Sequence, residues 1–150
     1  MRVIELYYFA VDALVRVVVK DPGCIPLRRF FDQEVRVLST KQCYDSARDV
    51  FLEDRLDRSK ATIFFSTYLE KVEIVEASSD ETKDLMRKHS LDEPGASLLA
   101  ALKSIPVSAA NRGSACFLVT SDSALISAAQ KEGINFHDYT QEQFCAKYGD

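Results

Sequence analysis

The sequence predicts an α/β domain: a three-layer α/β/α sandwich with a mainly parallel central sheet. Three observations lead there. Short, almost uniformly apolar segments such as Leu6–Ala10 and Ala115–Thr120 have the composition of strands buried on both faces. Helical segments separate the strands, so that the order strand, helix, strand recurs along the chain. The 150 residues, 47% hydrophobic and 28% charged, suit one globular domain spanning positions 1–150, with no repeat and no linker.

The elements follow in order. Leu6 to Ala10 reads as a buried strand that runs through Val11 to an acid, Asp12. The run from Asp12 to Val19 is β-branched and fits either more strand or a buried helix. Asp21-Pro22-Gly23 has the composition of a turn. Ile25 to Gln33 sets Ile25, Leu27, Phe30 and Phe31 beside Arg28 and Arg29, a short amphipathic helix. Val35 to Leu38 is a second strand, and Ser39-Thr40 supplies the cap of a helix expected from Thr40 to about Asp57. A further helix spans Ser59 to Leu69, and Val72 to Glu76 alternates like a strand. Ser79 opens a helix with acids in its first turn, and Asp92-Glu93-Pro94 opens the next, which reaches Lys103. After the strand at Ala115–Thr120, Ser121-Asp122 caps a helix closed by Gly133. Ile134 to Phe136 is the last strand and Thr140 to Tyr148 the last helix.

Charge and motif content remove several function classes. Nineteen Lys and Arg against 23 Asp and Glu give a net charge of −4, so the chain is no general polyanion binder. No apolar run reaches the ~20 residues of a bilayer span, and Met1 to Glu5 does not open like a secretory signal. Cys24, Cys43, Cys116 and Cys145 are scattered with no C-x-x-C pair, which points to buried, reduced thiols in a cytoplasmic protein rather than a zinc site. No glycine-rich phosphate loop and no G-x-S-x-G elbow is present, which disfavours nucleotide enzymes and serine hydrolases. His89 and His137 have no partners at ligand spacing and read as surface or packing residues. Tyr7, Tyr8, Phe30, Phe31, Phe64 and Phe65 read as core.

Three acids stand where buried strands end or the next helix begins: Asp12, Asp45 and Asp122. Sites in parallel α/β sheets form at the carboxyl ends of the strands. Carboxylates gathered there repel one another unless a cation offsets them, and an all-oxygen set favours Mg²⁺ or Mn²⁺. Such a metal activates water and stabilises the charge of a phosphodiester transition state. Each acid also has a plainer account, since Asp122 and Asp45 begin helices; Asp12, inside an apolar run, is the most costly to place without a role.

Phe9-Ala-Val-Asp12, Val37-Leu-Ser-Thr-Lys-Gln-Cys-Tyr-Asp45 and Leu118-Val-Thr-Ser-Asp122-Ser-Ala-Leu, in this order and spacing, resemble the PIN domain, a metal-dependent nuclease fold found in VapC-like toxins and RNA-processing proteins. The resemblance implies an endoribonuclease that hydrolyses RNA phosphodiester bonds with Mg²⁺ or Mn²⁺. Asp12, Asp122 and Asp45 would hold the metal, with Glu93 as a fourth acid. It departs from the family at Gly95, where an acid is expected, with Asp92 and Glu93 just before it; at Ala13, where a hydroxyl is common; and at Asp45, usually Glu. Those departures carry the alternative, a PIN-like domain without turnover that binds RNA or a partner protein. The family also implies a homodimer or a protein partner such as an antitoxin. The segments Ile25–Phe31 and Ile63–Tyr68 hold more aromatics than one core face needs and are expected to be partly exposed for it.

Overall fold

The computed structural model describes residues 4–19, 24–104 and 114–149. Its strands are β1 (Ile4–Phe9), β2 (Arg36–Thr40), β3 (Glu73–Val75), β4 (Ser114–Val119) and β5 (Phe136–His137). They form one sheet in the order β3-β2-β1-β4-β5 with every pair parallel. The chain builds outward from β1 on one side and then returns to its other side. The switch point therefore lies between the carboxyl ends of β1 and β4, where open α/β sheets place their sites. The predicted α/β/α sandwich with a parallel sheet is what the chain adopts.

Among the described residues eight helices connect and cover the strands: α1 (Val11–Val19), α2 (Ile25–Phe31), α3 (Lys41–Leu52), α4 (Arg58–Tyr68), α5 (Ser79–His89), α6 (Glu93–Lys103), α7 (Ser123–Lys131) and α8 (Glu142–Tyr148). The ambiguous valine-rich run is helix α1, and it buries Ala13, Leu14, Val17 and Val18 along one face. Tertiary burial outweighs the β preference of its valines here. The helix expected over Thr40–Asp57 ends at Leu52 instead. Asp57 has left it to cap α4, accepting from the Lys60 amide at 3.0 Å. The last strand is shifted to Phe136–His137, and the turn expected at Asp21-Pro22-Gly23 lies outside the described residues.

The sheet face carrying Tyr7, Phe9 and Phe117 packs on α2 and α8 through rings: Tyr7 meets Phe30 edge-on at 4.6 Å, and Phe30 meets Phe144 at 5.5 Å. The other face packs on α6, whose Ser97 hydroxyl lies 2.7 Å from that of Thr40. Phe64 departs from the core expected of the aromatics, being 45% exposed, while Tyr7, Tyr8, Phe30, Phe31 and Phe65 are buried. All four cysteines are unpaired; Cys24 and Cys43 are buried, whereas Cys116 and Cys145 are only half-buried. No helix of the described residues is long and apolar enough to cross a membrane.

One carboxylate ties α5, α6 and α7 together. Glu132, just past α7, has a side chain only 5% exposed. It accepts from Lys103 at 2.8 Å, Lys88 at 2.8 Å and the His89 ring at 2.7 Å. These bonds, that of Lys103 foremost, pull its carboxyl from 4.5 down to about 2. A group whose folded value is depressed contributes stability that is present above its unfolded value and is lost on acidification through the folded one. Stability from this cluster is therefore expected to fade as the pH falls from 4.5 to about 2. Glu132→Gln is expected to cost on the order of 1–3 kcal/mol at neutral pH by leaving the buried His89 ring and the Lys103 and Lys88 ammoniums with a neutral, weaker acceptor. It should also flatten the acid limb of a urea-unfolding series; an identical acid limb in both proteins would refute the assignment.

Candidate functional site

The switch point opens into a cleft of about 450 Å³. Asp12, Asp92 and Asp122 line it with Arg16 and Ser46, on an otherwise apolar wall that includes Val11, Val15, Val50 and Leu125. The parallel pairing of β1 with β4, Phe9 opposite Val119, brings the residues that follow each strand to the same edge.

Asp12 lies in the first turn of α1, and its carboxylate is the most heavily bonded group of the cleft. Thr120 Oγ1 donates to Oδ1 at 2.7 Å. The Ser121 amide, the Ser121 hydroxyl and the Tyr139 hydroxyl donate to Oδ2 at 2.8, 3.1 and 2.7 Å. A carboxylate oxygen offers about two lone-pair sites, so Oδ2 is saturated and only Oδ1 keeps capacity for a further ligand. Burial, then the neighbouring Asp12 charge, pushes the Tyr139 phenol far above its usual range, so it stays a donor.

Asp122 and Asp92 do a second job as helix caps. Asp122 Oδ1 accepts from the Ala124 and Leu125 amides at 3.0 and 3.4 Å at the start of α7. Asp92 Oδ1 accepts from the Gly95 amide at 3.1 Å at the start of α6. In both, Oδ2 has no partner among the described residues. Gly95 also faces the cleft, and the Asp92 carboxylate is folded over it. A Cβ at position 95 would stand 3.0 Å from Asp92 Oδ1, so a larger side chain there and the Asp92 cap compete for one space.

The predicted set of acids is thus assembled only in part. Asp12 and Asp122 share the cleft. Asp45 does not line it; its carboxylate lies 3.8 Å from Lys41 and 3.6 Å from Arg48 along α3, and the next residue, Ser46, reaches the cleft instead. Glu93, expected as the fourth acid, does not line it either; α6 begins at Glu93 with Asp92 as its cap, and it is Asp92 that reaches the cleft. Among the described residues no group of three acid, His or Cys side chains is placed to hold a metal ion. Among the described residues the expected Mg²⁺ or Mn²⁺ set is thus not gathered in one place: Asp45 lies outside the cleft beside Lys41 and Arg48, and Oδ2 of Asp12 is taken by protein donors. The Asp92 cap has a sequence signal, a proline two residues after it. Arg16 and Ser46 have none beyond their spacing from Asp12 and Asp45.

His89 is buried against Glu132, and His137 is half-buried with its ring stacked on Phe117 at 4.6 Å. Burial lowers the His137 pKa, which keeps that ring neutral near pH 7.

These features define an α/β domain of the doubly wound kind with an acidic, apolar-walled cleft at its switch point. No family model matches the chain, and no curated protein matches it. Among solved structures it is similar to the crystal structure of PAE2754 from Pyrobaculum aerophilum, at 17% identity and a TM-score of 0.57. That similarity covers 97% of this chain and 99% of the other, and at such identity it establishes the fold alone.

The three cleft acids are expected to respond differently to loss of charge. Asn caps a helix as well as Asp, so Asp92→Asn and Asp122→Asn should change stability by less than about 0.5 kcal/mol. Asp12→Asn must turn an amide NH₂ toward at least one donor and is expected to cost about 1–3 kcal/mol. Urea unfolding of the three variants checks this; an Asp12→Asn protein as stable as the wild type would show that the donor cluster is not structural.

Proposed function

We propose that this chain is a PIN-like domain acting as a binding module, and that its cleft takes a cationic side chain from a partner protein. The observation that carries this reading is the cleft itself. Asp12, Asp92 and Asp122 share an apolar-walled space in which at least one oxygen of each acid is spent on the fold, and Gly95 stands where the family resemblance leads one to expect an acid. An arginine or lysine side chain matches such a space, with its apolar stem against Val15, Val50 and Leu125 and its charge among the carboxylates. RNA would meet three carboxylates there against one guanidinium, that of Arg16. A protein partner also suits α4, where Ile63 is 66% exposed and Phe64 45%. Beside them a groove of about 390 Å³ is lined by Val18, Val19, Phe51 and Phe64 with Arg55 and Lys60. A homodimer or an antitoxin-like protein would use that face.

The second reading is a Mg²⁺- or Mn²⁺-dependent endoribonuclease of PIN type. It is favoured by the shared position of Asp12 and Asp122 at the carboxyl ends of adjacent strands, with Asp92 as third acid in place of Asp45. On either reading a cytoplasmic location is the expectation.

Thermal melts separate the two. Under the module reading an arginine-containing peptide raises the melting temperature by mass action, as a ligand of the folded state alone must. The shift shrinks in Asp92→Asn and Asp122→Asn and at high salt, and millimolar Mn²⁺ has little effect. A large Mn²⁺ shift that Asp122→Asn abolishes, together with metal-dependent cleavage of a labelled RNA, would overturn the module reading in favour of the nuclease.

A further inference from the structure

Three helices build the groove beside α4. Val18 and Val19 come from the end of α1, Phe51 and Arg55 from the end of α3 and the turn after it, and Lys60, Ala61 and Phe64 from α4. Val19 and Phe64 are 43% and 45% exposed, so the apolar wall is open rather than packed shut. Helix α4 rests on the fold through Phe65, its one buried residue, and Phe64 is left to the groove.

Both charges that line the groove are positive. The Arg55 guanidinium lies over the Phe51 ring, 4.3 Å from its centre, and Nε donates to the Phe51 carbonyl at 3.2 Å. This anchors the fork and leaves Nη1 and Nη2 without a partner among the described residues. The Lys60 ammonium has none among them either. No carboxylate of the described residues lines the groove. A guanidinium already held in place loses little freedom on meeting a carboxylate, which it binds with two parallel hydrogen bonds.

Shape and charge together narrow the occupant. The walls are side chains of helices and present no strand edge, so an extended segment lying here would bury backbone N–H and C=O groups unpaired. An α-helix pairs those groups within itself and lowers apolar side chains three and four residues apart into the groove. A second copy of this chain fits less well, because a two-fold contact here would set groove against groove and the same cations against each other. A lipid surface is flat and does not fill a concavity between three helices.

We propose that this groove takes an amphipathic helix of another protein, with its apolar face on Val19, Phe51 and Phe64 and its flanking glutamates or aspartates on Arg55 and Lys60. The inference rests on the reading of this chain as a module for a protein partner and deepens it, since it states the chemistry of the segment that covers α4.

The test uses a fluorescein-labelled helical peptide with leucines at i, i+3, i+4 and i+7 and glutamates on either side of them. Its binding to the intact chain is read by anisotropy. One control replaces the glutamates by lysines, and another places a proline at the centre. The acidic peptide is expected to bind at least roughly tenfold more tightly than the lysine form, and the proline form to lose binding. Lys60→Glu and Phe64→Ala are each expected to weaken the acidic peptide by roughly tenfold. Both residues are exposed, and unchanged melting temperatures confirm the fold. Lys60→Glu should also gain affinity for the lysine peptide, a reversal that a damaged fold cannot produce. No binding of the acidic peptide at millimolar concentration overturns the proposal, as does equal binding of the two charge forms or binding that both variants leave unchanged. A dimer seen by sedimentation that Phe64→Ala dissolves overturns it in favour of a second copy. Binding to phosphatidylglycerol vesicles that both variants abolish overturns it in favour of a membrane. The arginine-peptide melts read the cleft, which repels the acidic probe, so failure of the cleft reading and failure of this one are seen separately.

Discussion

The carboxylate of Asp12 is the constraint around which the switch point is organised. It stands at the start of α1 and draws in donors from Thr120 and Ser121 beyond β4 and from Tyr139 beyond β5. Three chain segments far apart in sequence are thereby fixed to one point. The Asp122 amide in turn donates to Thr120 Oγ1 at 3.1 Å, so the position of the second acid is inherited from the first. A buried polar cluster of this kind specifies a single arrangement because each member satisfies another, and no buried side-chain polar atom of the described residues lacks a partner.

That arrangement has a chemical cost at the cleft. Each hydrogen bond that Asp12 accepts is an oxygen lone pair withdrawn from any ligand. Asp92 and Asp122 make the same division by capping helices. What remains is a cleft with acidic charge and few uncommitted oxygens. Gly95 belongs to the same trade, because the Asp92 carboxylate occupies the space that a side chain at position 95 would need. The character of the site thus follows from how these acids are used in the fold as much as from how many there are.

Much of this was legible in the sequence, for identifiable reasons. Both-face burial wrote the central strands as continuous apolar runs, and Asp12 was marked by a charge set inside one. The cap of α7 and the glycine after it stood in their expected places. The strand-or-helix choice for Val11–Val19 was not legible, because valine spacing alone carries no decision and the packing of Leu14 and Val17 does. Asp45 was assigned to the site by its place after β2, although Lys41 and Arg48 lay at the spacings that pair along a helix. The choice of Asp92 over Glu93 depended on a one-residue boundary, which cap geometry settles and periodicity does not.

The outer strands of the sheet, Glu73–Val75 and Phe136–His137, are three and two residues long. An edge so short presents few unpaired backbone groups, so neither margin offers a template on which another strand could add. The sheet is in this sense closed to growth although it is open in topology. Association with another chain is left to side chains on the helical layers, where specificity is set by shape and charge rather than by the generic pairing of peptide groups.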